Sequence, residues 1–392
     1  MDRLHIAFFG PVNSGKSTLV NAICGQEVSM VSPVAGTTTD PVRKLAELPG
    51  LGPCVLIDTP GLGDDSVLGA ERERRTRAIL DEADIVVLVQ MADQVGHDVI
   101  IPDRPTVIPD RPTVIPDRPT VIPDLIGDLP VVRYHRGESI ESLLERLRQA
   151  APPRDERFLT GDLVKAGDCV LLVMPQDSEA PKGRLILPQV QVLRELLDRG
   201  CNALCCTPDS LPKALERLTP DLVITDSQVF GLVNQALPSS VPLTSFSILL
   251  AGAKGDLNVF IEGAKAIDTL KPGDRVLIAE ACTHVPDTED IGRVKIPALL
   301  RQRMADHVGH DVTPGLTGSL TIDIAAGNDF PEDLRPYALI IHCGACVATR
   351  TLVQRRIKKA LRAGVPITNY GIALAKLKGI LDRVEIPGRS RE

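Results

Sequence analysis

The sequence predicts an α/β fold of three domains, at residues 1–150, 155–262 and 263–392, each built on a parallel sheet. Short apolar runs of strand length alternate with segments of helical periodicity, which is typical of parallel sheets covered by helices. A glycine-rich loop separates the first strand from the first helix, and two late strands each continue into a motif of cysteine and histidine. We expect the chemistry at these three places, because α/β domains place their sites at the carboxyl ends of strands.

The first domain is predicted from four short strands and two helices. The strands are residues 4–9, 54–57, 85–89 and 131–134, and the helices are 16–24 and a segment that begins within 137–140. The second helix carries a leucine stripe at Leu143, Leu144 and Leu147, which indicates a face turned toward the sheet.

A proline-rich repeat interrupts this domain at residues 101–124. The heptad IPDRPTV occurs three times in succession and then begins a fourth copy. Two prolines in each unit remove backbone donors and forbid helix, so we expect an extended segment outside the packed core. Residues 91–99 (MADQVGHDV) and 304–312 (MADHVGHDV) agree at eight of nine positions. We interpret these segments as repeat-derived insertions.

The other two domains continue the alternation of strands and helices. The second has predicted strands at 170–174, 203–206, 222–225 and 245–250 and helices at 187–199 and 211–218. It contains no catalytic motif, which favours a scaffold or dimerisation role. The third has predicted strands at 276–279 and 338–341 and a basic helix at 351–363.

The composition excludes several classes of protein. Lys and Arg number 44 against 51 Asp and Glu, a net charge of −7, which argues against nucleic acid as a partner. No run of about 18 apolar residues is present, so we expect no membrane partner. The start of the chain lacks the apolar core of a signal peptide, which favours a cytoplasmic protein. The nine cysteines are an odd number and favour metal binding or catalysis over disulfides.

Residues 10–17, GPVNSGKS, match the phosphate-binding pattern G-x-x-x-x-G-K-[ST] between a strand and a helix. Its backbone amides and the helix amino terminus favour phosphate, and Lys16 reaches the β and γ phosphates. Ser17 is a candidate Mg²⁺ ligand. The later run DTPG places Asp58 behind the Mg²⁺ and the amide of Gly61 beside the γ-phosphate.

Residues 36–40, GTTTD, resemble a first switch in which Thr38 closes on the metal ion. The set of motifs resembles the GTPase group that includes the tRNA-modification and ribosome-assembly GTPases. An asparagine at the fourth P-loop position marks activation by K⁺ in that group, and Asn13 occupies it. The resemblance implies a P-loop GTPase-like domain that uses GTP, Mg²⁺ and K⁺. The predicted nucleotide-binding residues are Gly10, Asn13, Ser14, Gly15, Lys16, Ser17, Thr18, Thr37, Thr38, Asp58 and Gly61, of which Lys16, Thr38, Asp58 and Gly61 form the predicted catalytic set.

The guanine-specificity motif Asn-Lys-x-Asp is missing from the sequence. Residues 90–93, QMAD, are a poor substitute and fall one strand too early, and the proline-rich repeats occupy the place where the motif belongs. We therefore expect phosphate recognition to persist, while base recognition and GTP hydrolysis are weakened.

Two cysteine–histidine motifs stand at the ends of strands in the third domain. Cys282 and His284 form the first, and His342, Cys343 and Cys346 form the second. Soft thiolates with nearby imidazoles suit either an iron–sulfur cluster or a zinc ion held by three cysteines and one histidine.

Cys-x-His followed at long range by His-Cys-x-x-Cys, behind a GTPase-like domain, resembles the HydF family of [FeFe]-hydrogenase maturation GTPases. Four flanking runs are also similar to that family: residues 280–284 EACTH, 290–297 DIGRVKIP, 327–331 GNDFP and 366–371 PITNYG. The resemblance implies a GTPase domain, a dimerisation domain and a domain that binds a [4Fe–4S] cluster. Cys282, Cys343 and Cys346 would hold the cluster, and His284 or His342 would supply its fourth, exchangeable position.

The resemblance further implies a homodimeric scaffold for the diiron precursor that carries CO, CN⁻ and a bridging dithiolate. Two radical-SAM maturases would build the ligands of that precursor, and apo-[FeFe]-hydrogenase would receive it. Two other functions fit part of the sequence. The GTPase motifs alone fit an RNA-modification or ribosome-associated GTPase, which the acidic charge disfavours. An electron-transfer iron–sulfur protein with a vestigial NTPase domain fits the missing specificity motif.

Overall fold

The computed structural model describes residues 3–11, 13–25, 41–60, 76, 78–90, 129–152, 158–176, 183–281, 290–308, 320–327 and 329–389. The chain divides into two compact units, Met1–Arg154 and Asp155–Glu392, which are described separately. The repeat at 101–124 and the first nonamer lie outside the described residues. Within the described residues, no helix is both long and apolar enough to cross a membrane.

The first unit is built on a five-stranded sheet with the order β2-β3-β1-β4-β5. The strands are β1 Leu4–Phe9, β2 Val42–Leu48, β3 Gly52–Asp58, β4 Ile85–Gln90 and β5 Val131–His135, and the helices are α1 Lys16–Ile23 and α2 Ile140–Ala150. All neighbouring strands are parallel except β2, which runs antiparallel to β3. The prediction of a parallel sheet therefore holds for four strands and misses the antiparallel edge.

The central strands of this sheet are buried on both faces. Ile6 and Phe8 of β1 pack into one core with Leu143 and Leu147 of α2, while Phe9 packs on the opposite face. Such two-sided burial explains why β1 reads as a continuous apolar run rather than an alternating one.

Strand β5 lies directly beside β4, with Gln90 opposite His135. Helix α2 follows at once, because the Ser139 hydroxyl accepts the N–H of Ser142 at 3.2 Å and caps its first turn. The predicted closing strand and helix are confirmed. Among the described residues, β5 is therefore the strand that pairs with β4 on the side away from β1, and it carries no Asn-Lys-x-Asp motif.

The second unit contains two four-stranded parallel sheets. The first has β6 Cys169–Val173, β7 Asn202–Cys206, β8 Leu222–Thr225 and β9 Leu243–Ser245 in the order β7-β6-β8-β9. The second has β10 Arg275–Glu280, β11 Thr321–Ala326, β12 Leu339–His342 and β13 Ile367–Asn369 in the order β11-β10-β12-β13. The helices are α3 Leu187–Asp198, α4 Leu211–Leu215, α5 Phe230–Ala236, α6 Phe246–Lys254, α7 Leu257–Ala264, α8 Ile296–Val308, α9 Arg350–Arg362 and α10 Tyr370–Leu377.

The strand predicted at 245–250 is wrong. Strand β9 ends at Ser245, whose hydroxyl accepts the N–H of Ile248 at 3.3 Å and starts α6. Ile248, Leu249 and Leu250 are all buried, although they point in different directions around the helix. A short apolar run of this kind shows no helical period, so periodicity cannot separate it from a buried strand.

One hydrophobic core serves both sheets of the second unit. It contains Leu171 of the first sheet, Leu277 of the second and Phe260 of α7. The domain boundary predicted at 262/263 falls inside α7. That helix is close-packed, since a Cβ at Gly263 would lie 2.0 Å from the carbonyl oxygen of Ile367.

Candidate nucleotide site and candidate metal centre

Among its described residues, the glycine-rich loop that connects β1 to α1 has two with positive φ. Asn13 has φ 62° and Gly15 has φ 93°. Asparagine is among the few side chains that tolerate this left-handed conformation, which explains how a non-glycine residue occupies the turn. Gly10 is required for a different reason, because a Cβ there would lie 2.5 Å from the carbonyl oxygen of Val89 at the end of β4.

The side chain of Lys16 folds back across its own loop. Its Nζ donates to the carbonyl oxygens of Gly10 at 3.0 Å and Pro11 at 2.8 Å. Only 6% of the residue is exposed, and burial lowers the pKa of Lys16, while the nearby Asp58 carboxylate opposes the shift. The ammonium group is therefore held at the loop by two neutral carbonyl acceptors. A charged phosphate oxygen is a stronger acceptor and would take their place.

Asp58 ends β3 and lies opposite Phe8 of β1. The Ser17 hydroxyl hydrogen-bonds the Asp58 carboxylate. Burial raises the pKa of Asp58, and the Ser17 hydrogen bond and the charge of Lys16 act against the shift. Thr59 fixes the end of this strand by donating from Oγ1 to the carbonyl oxygen of Phe8 at 2.6 Å.

Two buried polar atoms at this site have no hydrogen-bond partner among the described residues. They are Ser14 Oγ in the loop and Asp58 Oδ1. Unpaired buried polar atoms are rare in folded proteins unless a ligand or water satisfies them. A hydroxyl and a carboxylate oxygen beside Lys16 fit the donor and acceptor needs of a phosphate with its Mg²⁺.

The structure brings together most of the predicted nucleotide residues. Asn13, Ser17 and Thr18 are exposed around the amino terminus of α1, while Ser14 and Lys16 are buried. The predicted residues Thr37, Thr38 and Gly61 lie outside the described residues.

The first carboxylate after β5 is Glu138, and it is already engaged. It accepts the N–H of His135 at 3.3 Å and the Ser142 hydroxyl at 3.0 Å, and it pairs with the Arg146 guanidinium. A guanine base would need a carboxylate with open acceptor positions. Glu138 therefore does not replace the missing specificity motif.

The second candidate site lies at the carboxyl edge of the sheet formed by β10 and β12. Ala279 of β10 is opposite His342 of β12, and the N–H of Cys343 donates to the carbonyl oxygen of Ala279 at 2.9 Å. The Sγ of Cys343 accepts the N–H groups of Ala281 at 3.1 Å and Ala345 at 3.4 Å. Amide donors aimed at sulfur stabilise a thiolate, which is the form that binds metal.

The loop that follows Cys343 is held by a buried lysine from α6. Lys254, which is 3% exposed, donates from Nζ to the carbonyl oxygens of Ala345, Cys346 and Ala348 at 2.9, 3.2 and 2.8 Å. Ala345 has φ 52°, an unusual value for a residue with a Cβ. Lys254 thus fixes the path of the backbone that presents Cys346.

His342, the residue before Cys343, is buried and is hydrogen-bonded on both ring nitrogens. Nδ1 lies 2.8 Å from the carbonyl oxygen of Cys343, and Nε2 lies 3.2 Å from Nη1 of Arg356. Because a guanidinium can only donate, Nε2 is the acceptor and Nδ1 carries the proton. Burial, with the Arg356 charge, lowers the pKa of His342 to about 3.

Cys282 and His284 lie outside the described residues, and among the described residues no group of three His, Cys, Asp or Glu side chains is placed to hold a metal ion. Cys343 and Cys346 are half-buried on one short loop. Two thiol ligands on a rigid loop, one of them already supplied with amide donors, fit a soft metal or an iron–sulfur cluster.

Sequence reasoning missed the charged residues around this edge. Glu280, which is 2% exposed, ends β10 and pairs with Arg293 at 2.7 Å. The Oδ1 of the buried Asp290 accepts the N–H of Arg293 at 2.8 Å. The runs EACTH and DIGRVKIP, which carry Glu280 and Arg293, resemble the HydF family, but nothing local in them indicates that these two residues meet.

The fold and the two sites define a class: a P-loop GTPase unit joined to a unit of two parallel sheets with a cysteine motif at one sheet edge. Family models match the chain in the same order, with the 50S ribosome-binding GTPase model at residues 5–106, the hydrogen maturase F dimerization domain at 159–255 and the hydrogen maturase F tetramerization domain at 258–386. The chain belongs to the hydrogen maturase F (HydF) family. Its first unit is a GTPase domain, which supports GTP and Mg²⁺ binding, and its other two domains support self-association.

The curated MnmE relatives match only the GTPase part of the chain. The tRNA modification GTPase MnmE of Acidiphilium cryptum is 41% identical over 103 residues, 26% of this chain and 23% of that protein. The MnmE of Erythrobacter litoralis is 46% identical over 91 residues, 22% of this chain and 20% of that protein. The chain thus spans less than a quarter of the length of these relatives.

Among solved structures, Era of Aquifex aeolicus bound to GDP and AlF4⁻ is 17% identical with a TM-score of 0.25, covering 86% of this chain and 99% of that one. Era in complex with MgGDPNP and a fragment of 16S ribosomal RNA is 18% identical with a TM-score of 0.26, covering 86% and 98%. At TM-scores this low, neither likeness carries a structural conclusion.

Proposed function

We propose that this protein is a cytoplasmic GTP-binding iron–sulfur scaffold that receives the diiron precursor of the [FeFe]-hydrogenase H-cluster and delivers it to apo-hydrogenase. The observation that carries the proposal is the Cys343 loop, where two backbone amides point at one sulfur in a chain of the HydF family. Two radical-SAM maturases would supply the ligands of the precursor. The three-domain division at 1–150, 155–262 and 263–392 belongs to the same proposal.

In this proposal Cys282, Cys343 and Cys346 hold a [4Fe–4S] cluster. His284 takes the exchangeable fourth position in preference to His342, because both ring nitrogens of His342 are already hydrogen-bonded. An exchangeable position suits a carrier, since it lets a cargo bind beside the cluster and leave again.

The nucleotide site binds GTP through the loop at Lys16, with Ser17 and Thr38 on Mg²⁺ and Asn13 on K⁺. Asp58 supports the metal from behind, and Gly61 contacts the γ-phosphate. Hydrolysis is slow in this proposal, because the strand beside β4 lacks the base-specific motif and leaves the nucleotide loosely oriented.

Self-association is proposed to use the exposed edge of β7 in the first sheet of the second unit. Leu204 on this edge strand is 43% exposed, and Val190 and Leu197 of the neighbouring helix α3 are also exposed. The opposite edge strand, β9, is bridged by Val384. An open apolar sheet edge is a template for pairing with another chain, and a second copy is the occupant expected in a homodimer.

The dimer is tested by substituting Leu204→Lys and measuring mass in solution. The lysine places a charge in the proposed interface and is expected to shift the protein toward monomer. Leu45→Lys, on an exposed strand of the first unit, is the matched control and should leave the mass unchanged. An unchanged mass for Leu204→Lys would remove β7 from the interface.

The cluster is tested by anaerobic reconstitution followed by iron and sulfide analysis and EPR. Wild-type protein is expected to hold one [4Fe–4S] cluster per chain, and Cys343→Ala and Cys346→Ala are expected to lose it. Cys205→Ala, at an exposed thiol on β7, is the matched control and should retain the cluster. Full iron content in Cys343→Ala, or stoichiometric zinc in anaerobically purified wild type, would contradict the assignment.

The carrier role is tested with a diiron complex that carries CO and CN⁻. Cluster-loaded protein should acquire infrared bands of CO and CN⁻ after incubation and gel filtration, and the loaded protein should then activate apo-hydrogenase. The missing guanine motif also favours a second candidate, an electron-transfer iron–sulfur protein with a vestigial NTPase domain. That candidate predicts a reducible cluster, no retained infrared bands and no activation.

A further inference from the structure

Tyr370 lies at the same sheet edge as Cys343 and is not among the residues of the predicted cluster site. Strands β12 and β13 are parallel, with His342 opposite Asn369, so Cys343 and Tyr370 are the next residues beyond that pair. The Asn369 side chain accepts the N–H groups of Gly371 at 2.8 Å and Ile372 at 3.2 Å. This cap places Tyr370 in the first turn of α10.

Tyr370 is only 9% exposed, and its hydroxyl is buried. This hydroxyl has no hydrogen-bond partner among the described residues. The fold makes room for it, because a Cβ on Gly292 would lie 1.9 Å from Tyr370 Oη. Any side chain at Gly292 would displace the phenol. A buried hydroxyl with a space kept for it and no acceptor in the described part of the chain is the kind of group that a ligand satisfies.

The phenol is a hydrogen-bond donor at neutral pH, because an ordinary tyrosine has a pKa of about 10. Burial raises the pKa of Tyr370 well above its usual value, and the charges of Cys343, Glu280 and Asp290 add to the shift. The two carboxylates are already bonded to Arg293. The phenol therefore keeps its proton, and it lies at the sheet edge that carries Cys343.

We propose that the Tyr370 hydroxyl donates a hydrogen bond to the sulfur-ligated group that Cys343 holds, and that Tyr370 is a positioning residue that sets the reduction potential of that group. This inference rests on the proposed function, because it requires a cluster at Cys343. A hydrogen bond to the sulfur of a cluster stabilises the more negative, reduced state, so its loss lowers the potential.

The test compares Tyr370→Phe with Tyr337→Phe in anaerobically reconstituted protein. Tyr337 is a matched control: its hydroxyl bonds Asp323 and its ring contacts Arg275, the first residue of β10, at the opposite end of that strand. Both variants are expected to hold wild-type amounts of iron. In an EPR-monitored redox titration, Tyr370→Phe should be about tenfold harder to reduce at a fixed poise, a shift of about 59 mV to more negative potential. Tyr337→Phe should match wild type.

A stability measurement separates this role from a packing role. In cluster-free protein Tyr370→Phe should melt at or above the wild-type temperature, because the lost hydroxyl bonds none of the described residues. In cluster-loaded protein the same variant should release iron to a chelator several-fold faster. A lower melting temperature without cluster, with an unchanged release rate, would identify packing as the whole effect and overturn the proposal.

A second variant keeps the test decisive if Tyr370→Phe does not fold. The chain has three tyrosines, so 3-fluorotyrosine incorporated into a Tyr134→Phe/Tyr337→Phe background labels Tyr370 alone. The more acidic phenol is a stronger donor and should raise the potential. An unmoved potential in a cluster-loaded variant would overturn the inference alone, whereas wild-type protein that holds no cluster would overturn the proposed function.

Discussion

The glycine-rich loop and the cysteine loop are built alike in two respects. Each follows a buried parallel strand, and the described part of each contains one non-glycine residue with positive φ, Asn13 at 62° and Ala345 at 52°. Each also has a buried lysine that donates to carbonyl oxygens of the loop, Lys16 in the first and Lys254 in the second.

The two lysines differ in origin. Lys16 begins α1 directly after the loop and bonds Gly10, six residues away. Lys254 comes from α6 and reaches Ala345 across 91 positions of sequence. The first lysine bonds two carbonyls that a phosphate can replace, while the second bonds three and spans the loop. We infer that the first loop is made to exchange a ligand and the second to keep its shape.

The largest effect is expected for Lys16→Ala, which removes the group that exchanges partners. Nucleotide affinity should fall by about 10- to 100-fold, because a charge-assisted hydrogen bond contributes about 1.5–3 kcal/mol and each ~1.4 kcal/mol is tenfold. Titration calorimetry with GTP and Mg²⁺ measures the loss. Arg43→Ala, at an exposed ion pair with Glu82 in the same unit, should bind like wild type. If Lys16→Ala bound as tightly as wild type, the loop would not be the phosphate site.

The next effect is expected for Lys254→Met, which keeps the length of the side chain and removes its charge. Three loop carbonyls would lose their donor, so the free energy of unfolding should fall by about 2–4 kcal/mol even without metal. Denaturant unfolding of the cluster-free protein measures it. Lys265→Met, at an exposed pair with Glu262, should change stability by less than about 0.5 kcal/mol. An equally small change at Lys254 would mean that the loop keeps its shape without the lysine.

The difference between local contacts at Lys16 and long-range contacts at Lys254 explains which site could be predicted from the sequence. The residues around Lys16 are contiguous, and a strand, a loop and a helix follow one another in the sequence, so the motif alone predicts the nucleotide site. The contacts of Lys254, Arg356 and Tyr370 are made across long stretches of sequence. The cysteines of the second site were recognised from their spacing, but the groups that shape it could not be.

The strands and helices also differ in how well the local sequence predicts them. Central strands such as β1 and β8 are buried on both faces and read as apolar runs, and their prediction is confirmed. The edge strands β2 and β11 were missed because most of their side chains are exposed or half-buried. The strand predicted at 245–250 is wrong because the apolar run at the start of α6 shows no helical period.

The missing guanine motif leads to a third prediction, a loss of nucleotide selectivity by about an order of magnitude. Phosphate contacts persist while the base loses a bidentate carboxylate, so the preference for GTP over ATP should be at least tenfold smaller than in a GTPase with the motif. Parallel titrations with GTP, ATP and inorganic triphosphate measure it, and the slow hydrolysis should still rise with K⁺ through Asn13. Micromolar and strongly GTP-selective binding would mean that the repeat region supplies a guanine contact of its own.

The smallest effect compares the two positive-φ residues directly. Left-handed φ costs an alanine roughly 1–2 kcal/mol, whereas asparagine tolerates it and glycine adopts it freely at an entropic cost of about 0.5–1 kcal/mol. Ala345→Gly should therefore stabilise the protein by about 0.5–1 kcal/mol, and Asn13→Gly should leave stability almost unchanged while it removes the K⁺ response. Denaturant unfolding of the two variants measures both. If Ala345→Gly instead destabilised the protein, the Ala345 methyl group would contribute packing that outweighs its strained backbone, and the cysteine loop would owe its shape to side-chain contacts as well as to Lys254.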